Sequence, residues 1–131
     1  MKSRFFGRTA RYLFLLDCIK QQQIRVKDCQ NKKEEMTKGI YDLFCHYWSW
    51  YDLISLLELI NKKMIEMGLK QEFSEVIMDI TDDVVVTNIN YGNWLVEDVI
   101  ELAVTLIINF PNVIEEIEKE QIRKKEKIES L

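Results

Sequence analysis

Apolar side chains recur every three or four residues along most of this chain, which is the spacing of one face of an α-helix. In residues 94–110 they cover most of the helix circumference. The polar residues of that segment recur every four positions and fall on one narrow stripe, formed by Glu97, Glu101, Thr105 and Asn109. A surface helix carries a wider polar face than this. We therefore predict a central helix over 94–110, with neighbours on most of its sides.

The same spacing predicts further helices over about residues 4–23, 34–67 and 71–80, and from Pro111 onward. A helix unbroken over 34–67 would be unusually long for a small domain, so we expect a break near residues 48–50. Gly68 is suited to the residue just after a helix end. The last helix has only a thin apolar edge, and we expect it to pack at the periphery. That edge consists of Ile114, Ile117 and Ile128.

Composition supports a single all-α domain over residues 1–131. Nearly half of the residues are apolar, and only one proline and four glycines interrupt the chain. This length supports one core and is too short for two. We predict a bundle of about six to seven helices around the central hydrophobic one.

Charge and cysteine usage exclude several classes of function. The net charge of −4 gives no reason to expect nucleic acid as a partner. Three widely spaced cysteines with no metal-ligand spacing indicate reduced thiols, so we expect a cytoplasmic protein without cofactor or metal. Charges or amides interrupt every apolar run before it reaches the length of a membrane span, and we expect no membrane anchor.

The sequence offers little for catalysis. His46, the only histidine, follows Cys45 directly, and adjacent side chains on a helix diverge by roughly 100°. The basic residues within 123–127 alternate with glutamates, which is typical of a solvated helix face. We therefore expect a protein that is not an enzyme.

Five large aromatic residues lie close together on the second predicted helix, and two interpretations of them remain open. They are Phe44, Tyr47, Trp48, Trp50 and Tyr51. Packing in the core and between helices is one interpretation. The other is an exposed wall or interface, where aromatic side chains dominate binding energy.

One motif connects the helix at 71–80 to the central helix. After Gln71, the helix has apolar residues at Phe73, Val76, Ile77 and Ile80. A connector follows this helix and leads to the turn Asn90-Tyr91-Gly92. Asn90 is well placed as a helix N-cap, and the turn could be no more than a cap with a structural glycine. The combination resembles the first homology region of the Bcl-2 family, in which Asn-Trp-Gly-Arg opens a buried central helix.

The resemblance implies a Bcl-2-like bundle whose surface groove binds the amphipathic BH-3 helix of pro-apoptotic partners. The family arginine after the glycine is Asn93 here, which removes a charge-assisted hydrogen bond to the partner. Carried over to this sequence, the partner-binding groove would consist of Phe44, Tyr47, Phe73, Val76, Asp79, Ile80, Asn90, Gly92, Asn93, Leu95 and Val96. The aromatic helix would be one wall, with Phe44 and Tyr47 facing inward.

A compact chain with neither the second homology region nor an anchor is similar to the Bcl-2 proteins of large DNA viruses. The implied function is anti-apoptotic, in the cytoplasm of a host cell, with a homodimer as an alternative to a monomer. Two other functions remain open. One is a Bcl-2-like inhibitor of innate immune signalling that acts through another surface, and the other is a structural helical-bundle subunit without a groove.

Overall fold

The computed structural model describes residues 2–69, 75–80 and 95–130, with side chains from Arg8 onward, and this part of the chain is helical without any strand. The helices are α1 (Lys2–Arg25), α2 (Lys32–His46), α3 (Trp50–Glu66), α4 (residues 75–80), α5 (Val96–Asn109) and α6 (Pro111–Glu129). The prediction of an all-α bundle is confirmed. The buried apolar side chains form one core cluster, to which each of the six helices contributes.

The predicted break near residues 48–50 is confirmed, and its cause is a capping box. Ser49 is the N-cap of α3: its Oγ accepts a hydrogen bond from the Asp52 N–H at 3.1 Å. In return the Ser49 N–H donates to Asp52 Oδ2 at 2.8 Å. These two bonds satisfy backbone donors that the first turn of a helix leaves unpaired. A new helix therefore begins at Trp50.

The end of α3 is also as expected. The last helical residue is Glu66, and Gly68 follows with a φ of 69°. This left-handed conformation is costly for residues with a Cβ, and a glycine there ends the helix at little cost. The backbone N–H of Leu69 then donates to the Met64 carbonyl at 2.9 Å, which satisfies one of the last carbonyls.

Helix α5 has the burial that the sequence predicts, although it is shorter than 94–110. Its apolar residues are buried at Val99, Ile100, Ala103, Val104, Leu106 and Ile107. The polar stripe faces outward, with Glu97, Glu101 and Asn109 exposed and Thr105 partly buried. This helix packs against α2, α3 and α6.

The last helix buries a wider face than its apolar edge predicts. Helix α6 packs against α1, α3 and α5, and its remaining faces are exposed or partly buried. Its buried residues are Val113, Ile114, Ile117 and Gln121, which follow one another at helical spacing. The apolar edge looked thin in the sequence because Gln121 is polar and Val113 stands in the first turn. Both residues are buried in the structure.

Candidate functional site

Seven of the eleven predicted groove residues lie in the described part of the chain. Phe73, Asn90, Gly92 and Asn93 lie outside the described residues. The seven others are distributed over α2, α4 and the start of α5. Helices α2 and α5 pack against each other, so the aromatic helix predicted as one wall lies beside the helix whose start was predicted as the groove floor.

Helix α4 is amphipathic over its described turns, as the sequence predicts. Val76 and Asp79, three residues apart, are both exposed. Ile77 and Ile80, again three apart, are buried in the core. Ile80 therefore holds α4 against the core and is not accessible to a partner in this conformation. Val76 and Asp79 are accessible.

The start of α5 differs in detail from the expectation. Leu95, and not Asn90, occupies the N-cap position of this helix, and no side chain caps it. The Leu95 carbonyl accepts hydrogen bonds from the N–H groups of Asp98 and Val99 at 3.1 and 3.2 Å. The Leu95 side chain is 63% exposed, whereas Val96 is partly buried. An uncovered leucine thus stands at the entry to the buried helix.

Phe44 and Tyr47 do not both face inward. Phe44 is partly buried and packs on the core, but Tyr47 is 66% exposed. Helix α2 ends at His46, so the helical spacing that would have turned Tyr47 toward Phe44 does not continue. Trp48 and Trp50 are buried instead, and Tyr51 is exposed. The five aromatic residues therefore divide between the core and the surface, and each interpretation holds for part of the cluster.

A constellation that the sequence did not reveal joins α1 to the junction between α2 and α3. The Arg11 guanidinium donates to Asp52 from Nε to Oδ1 at 3.0 Å and from Nη2 to Oδ2 at 2.5 Å. Its Nη2 also donates to the Tyr47 carbonyl at 3.1 Å, and its Cζ lies 4.8 Å from the centre of the Phe14 ring. The hydrogen bond from Arg11 lowers the pKa of Asp52, and Asp52 raises that of Arg11.

Three exposed aromatic residues lie near this ion pair by contact or by sequence: Phe14, Tyr47 and Tyr51, named here the aromatic patch. Phe14 lies beside the Arg11 guanidinium, the Tyr47 carbonyl accepts from it, and Tyr51 precedes Asp52 in the chain. Tyrosine and arginine are the residue types enriched where proteins bind one another most tightly. The only advance signal was the Ser49-x-x-Asp52 spacing, which predicts the capping box but not its arginine partner.

Groups for metal binding do not come together in the described ranges. No three histidine, cysteine, aspartate or glutamate side chains there lie close enough to hold a metal ion. His46 contacts its own helix through Nδ1, 2.9 Å from the Asp42 carbonyl oxygen and 3.3 Å from Asp42 Oδ1. Both His46 and Cys45 are exposed.

Comparison with protein-family models, curated proteins and solved structures gives no match for this chain. Among the helices that the structure describes, none combines the length and apolar character needed to cross a bilayer.

Proposed function

We propose that this protein is an anti-apoptotic, viral-type Bcl-2-like protein. It sequesters pro-apoptotic partners in the host cytoplasm by binding their BH-3 helix in a groove. The groove lies between α2, α4 and the start of α5. Recognition is of the helix-in-groove kind, in which apolar anchors on one face of the bound helix enter a hydrophobic channel.

The observation that carries the proposal is uncovered apolar surface on α4 and at the entry to α5. Val76, Met78 and Leu95 are exposed in two short stretches that flank the Asn90-Tyr91-Gly92 motif. Asp79 adds an exposed carboxylate on the same helix as Val76. An amphipathic helix is complementary to such a surface. Its apolar residues would contact Leu95 and Val76, and its polar residues would lie at the rim.

Asn93 sets the expected strength of binding. An asparagine donates a neutral hydrogen bond where the family arginine donates a charge-assisted one, and the difference is about 1 kcal/mol. We therefore expect submicromolar affinity for only some BH-3 peptides. Peptides whose affinity depends most on the aspartate that the family arginine would contact lose the most binding free energy.

Calorimetric titration with a panel of BH-3 peptides tests the proposal. Leu95→Glu places a charge on the proposed groove, and Ile24→Glu is its matched control because Ile24 is 62% exposed on α1 against 63% for Leu95. We expect at least one peptide to bind. For that peptide, Leu95→Glu should weaken affinity about tenfold or more, and Ile24→Glu should change it less than about twofold.

A second variant tests the motif itself. Gly92→Glu should also abolish peptide binding while helix content, followed by circular dichroism, is unchanged. Molar mass measured on the free protein and on the complex then distinguishes a monomer from a homodimer. If no peptide binds to the folded protein, or if Gly92→Glu binds as the natural sequence does, the groove proposal is wrong.

The aromatic patch favours a second candidate, inhibition of innate immune signalling through a surface other than the groove. Its tyrosines are more than half exposed, and the backbone carbonyl of one of them, Tyr47, accepts a hydrogen bond from Arg11. Cell assays of apoptosis and of immune signalling separate the two functions. Tyr51→Ser should abolish only the signalling effect, and Leu95→Glu only the protection from apoptosis.

A further inference from the structure

The charges of this chain are segregated along the sequence. Residues 71–110 contain eight acidic residues and no lysine, arginine or histidine. All 18 lysine and arginine residues lie outside this segment, together with the remaining 14 of the 22 acidic residues. The segment therefore has a net charge of −8, and the rest of the chain has a net charge of +4. The same segment supplies α4, the Asn90-Tyr91-Gly92 motif and the start of α5, and hence most of the proposed groove.

Within this segment, exposed carboxylates lie one helical turn from exposed apolar side chains. On α4, Val76 and Asp79 are three residues apart and both exposed. At the start of α5, Leu95 and Asp98 are also three apart and exposed, and the Asp98 N–H donates to the Leu95 carbonyl at 3.1 Å. Glu75 is exposed too, one turn before Asp79. We name Glu75, Asp79 and Asp98 the acidic rim.

No cation that the structure describes forms an ion pair with the acidic rim. The other two carboxylates at the start of α5 differ, because α2 brings lysines to them. Lys33 Nζ lies 3.3 Å from Glu101 Oε1, and Glu97 lines a cleft together with that lysine. Three lysines and three glutamates line this cleft, so it carries no excess charge. The acidic rim is the part of this surface whose negative charge is not balanced by described neighbours.

We propose that the partner in the groove is a helix whose apolar face is bordered by lysine or arginine. This inference rests on the proposed groove and specifies the charge of its occupant. The apolar residues of such a helix contact Val76 and Leu95, and its basic residues, one turn along, meet the carboxylates of the acidic rim. An acidic helix with the same apolar face brings like charges together, which disfavours it. Asn93, where the family has arginine, provides no cation to attract a carboxylate of the partner.

Two synthetic amphipathic peptides test the charge of the partner. Both have the same apolar residues at i, i+3 and i+7 spacing. Their other positions are lysine and glutamine in one peptide, and glutamate and glutamine in the other. Calorimetric titration at about 50 mM salt should show that the lysine peptide binds about tenfold more tightly or better, and at about 300 mM salt the difference should narrow, because salt screens exposed charges. Equal affinity for the two peptides, or preference for the glutamate peptide, would overturn the proposal.

A charge reversal assigns this preference to the acidic rim. The Asp79 side chain forms no hydrogen bond or ion pair with a described residue, so Asp79→Lys should leave the fold intact. It should weaken binding of the lysine peptide about fivefold and strengthen binding of the glutamate peptide by a similar factor, as expected for one exposed charge pair. Asp17→Lys is the matched control, because Asp17 is exposed on α1 and its replacement makes the same change in net charge. An equal change of preference in both variants would mean that net charge alone attracts the peptide, and the proposal would be wrong.

Leu95→Ser distinguishes failure of this inference from failure of the groove. It removes an apolar contact without changing the charge, so it should weaken binding of both peptides to a similar extent. If it does so but the two peptides bind equally well, the groove stands and the preference for a basic partner is wrong. If it affects neither peptide, or if neither peptide binds, the groove proposal fails and this inference fails with it.

A second copy of this chain is the competing occupant, because the rest of the chain is positively charged. Light scattering on the free protein and on its mixture with the lysine peptide gives the molar mass of each. A monomer that binds the lysine peptide one to one supports the proposal. A dimer that dissociates on addition of the lysine peptide, or in Asp79→Lys, assigns the surface to a second copy and overturns it.

Discussion

Arg11 and Asp52 are 41 positions apart in the chain, and they form a two-point ion pair, with Nε 3.0 Å from Oδ1 and Nη2 2.5 Å from Oδ2. The same carboxylate completes the capping box with Ser49, and the same guanidinium holds the Tyr47 carbonyl. One interaction thus joins α1, the end of α2 and the first turn of α3. Because the partners fix each other in a planar fork, the pair sets the orientation of these segments as well as stabilising them.

Removal of either partner should therefore destabilise the fold. Asp52→Asn weakens both the ion pair and the cap, and we expect the free energy of unfolding to fall by about 2–3 kcal/mol. Arg11→Met should cost about 1 kcal/mol, because the arginine side chain is 44% exposed and partly solvated already. Urea denaturation of both single variants and of the double variant gives the coupling energy. Additive effects would mean that the pair contributes nothing beyond its separate members.

The same pair predicts a dependence of stability on acid. The hydrogen bond from Arg11 holds the pKa of Asp52 below its ordinary value of 3.8, and the hydrogen bond from Lys63 lowers that of Glu120 from 4.5. A carboxyl whose pKa is lower in the folded state contributes stability above its unfolded pKa, and this is lost as the pH falls through the folded pKa. We expect the free energy of unfolding to fall below about pH 4–5.

Asp52→Asn and Arg11→Met should each flatten this acid dependence, since each removes the interaction that lowers the pKa of Asp52. Urea denaturation at a series of pH values from 7 to 3 measures the slope. A slope in both variants equal to that of the natural sequence would contradict the assignment to this pair.

A second link between helices joins α3 to α6. Lys63 Nζ lies 2.6 Å from Glu120 Oε2 and 2.9 Å from Glu66 Oε2, and its side chain is largely buried. Lys63→Met should cost about 1–2 kcal/mol, because it leaves the partly buried Glu120 carboxylate with only the more distant Lys124 at 3.7 Å. Lys119→Met is the matched control: Lys119 contacts Glu116 at 3.5 Å with both side chains exposed, and its loss should cost less than about 0.5 kcal/mol. Thermal unfolding of the two variants gives the comparison, and equal losses would refute this reasoning.

The positions of the helices follow from local pattern and are correct in nearly every case. The break near residues 48–50, the stop at Gly68 and the start at Pro111 each depend on a few adjacent residues, and each is where the sequence predicts it. The features that differ from the expectation depend on an environment that is not local. Tyr47 is exposed because α2 ends one residue before it, and α6 buries a wider face than expected because α1, α3 and α5 all pack against it.

The candidate sites divide in the same way. Val76 and Asp79 are exposed because α4 is amphipathic, which periodicity shows. The pairing of Arg11 with Asp52 was not predictable, since it joins residues from different helices.

Helix periodicity is a property of neighbours three and four positions apart, and the chain specifies it without reference to the rest of the fold. Which helices meet, and at what rotation, depends on how all of the apolar faces pack at once. Many packing arrangements of the helices are compatible with the same apolar stripes. The sequence therefore predicts a buried helix with a polar stripe over residues 94–110, and the structure has it at Val96–Asn109. Only the tertiary structure buries Gln121 and places Arg11 against Asp52, because these environments exist only after the helices have packed.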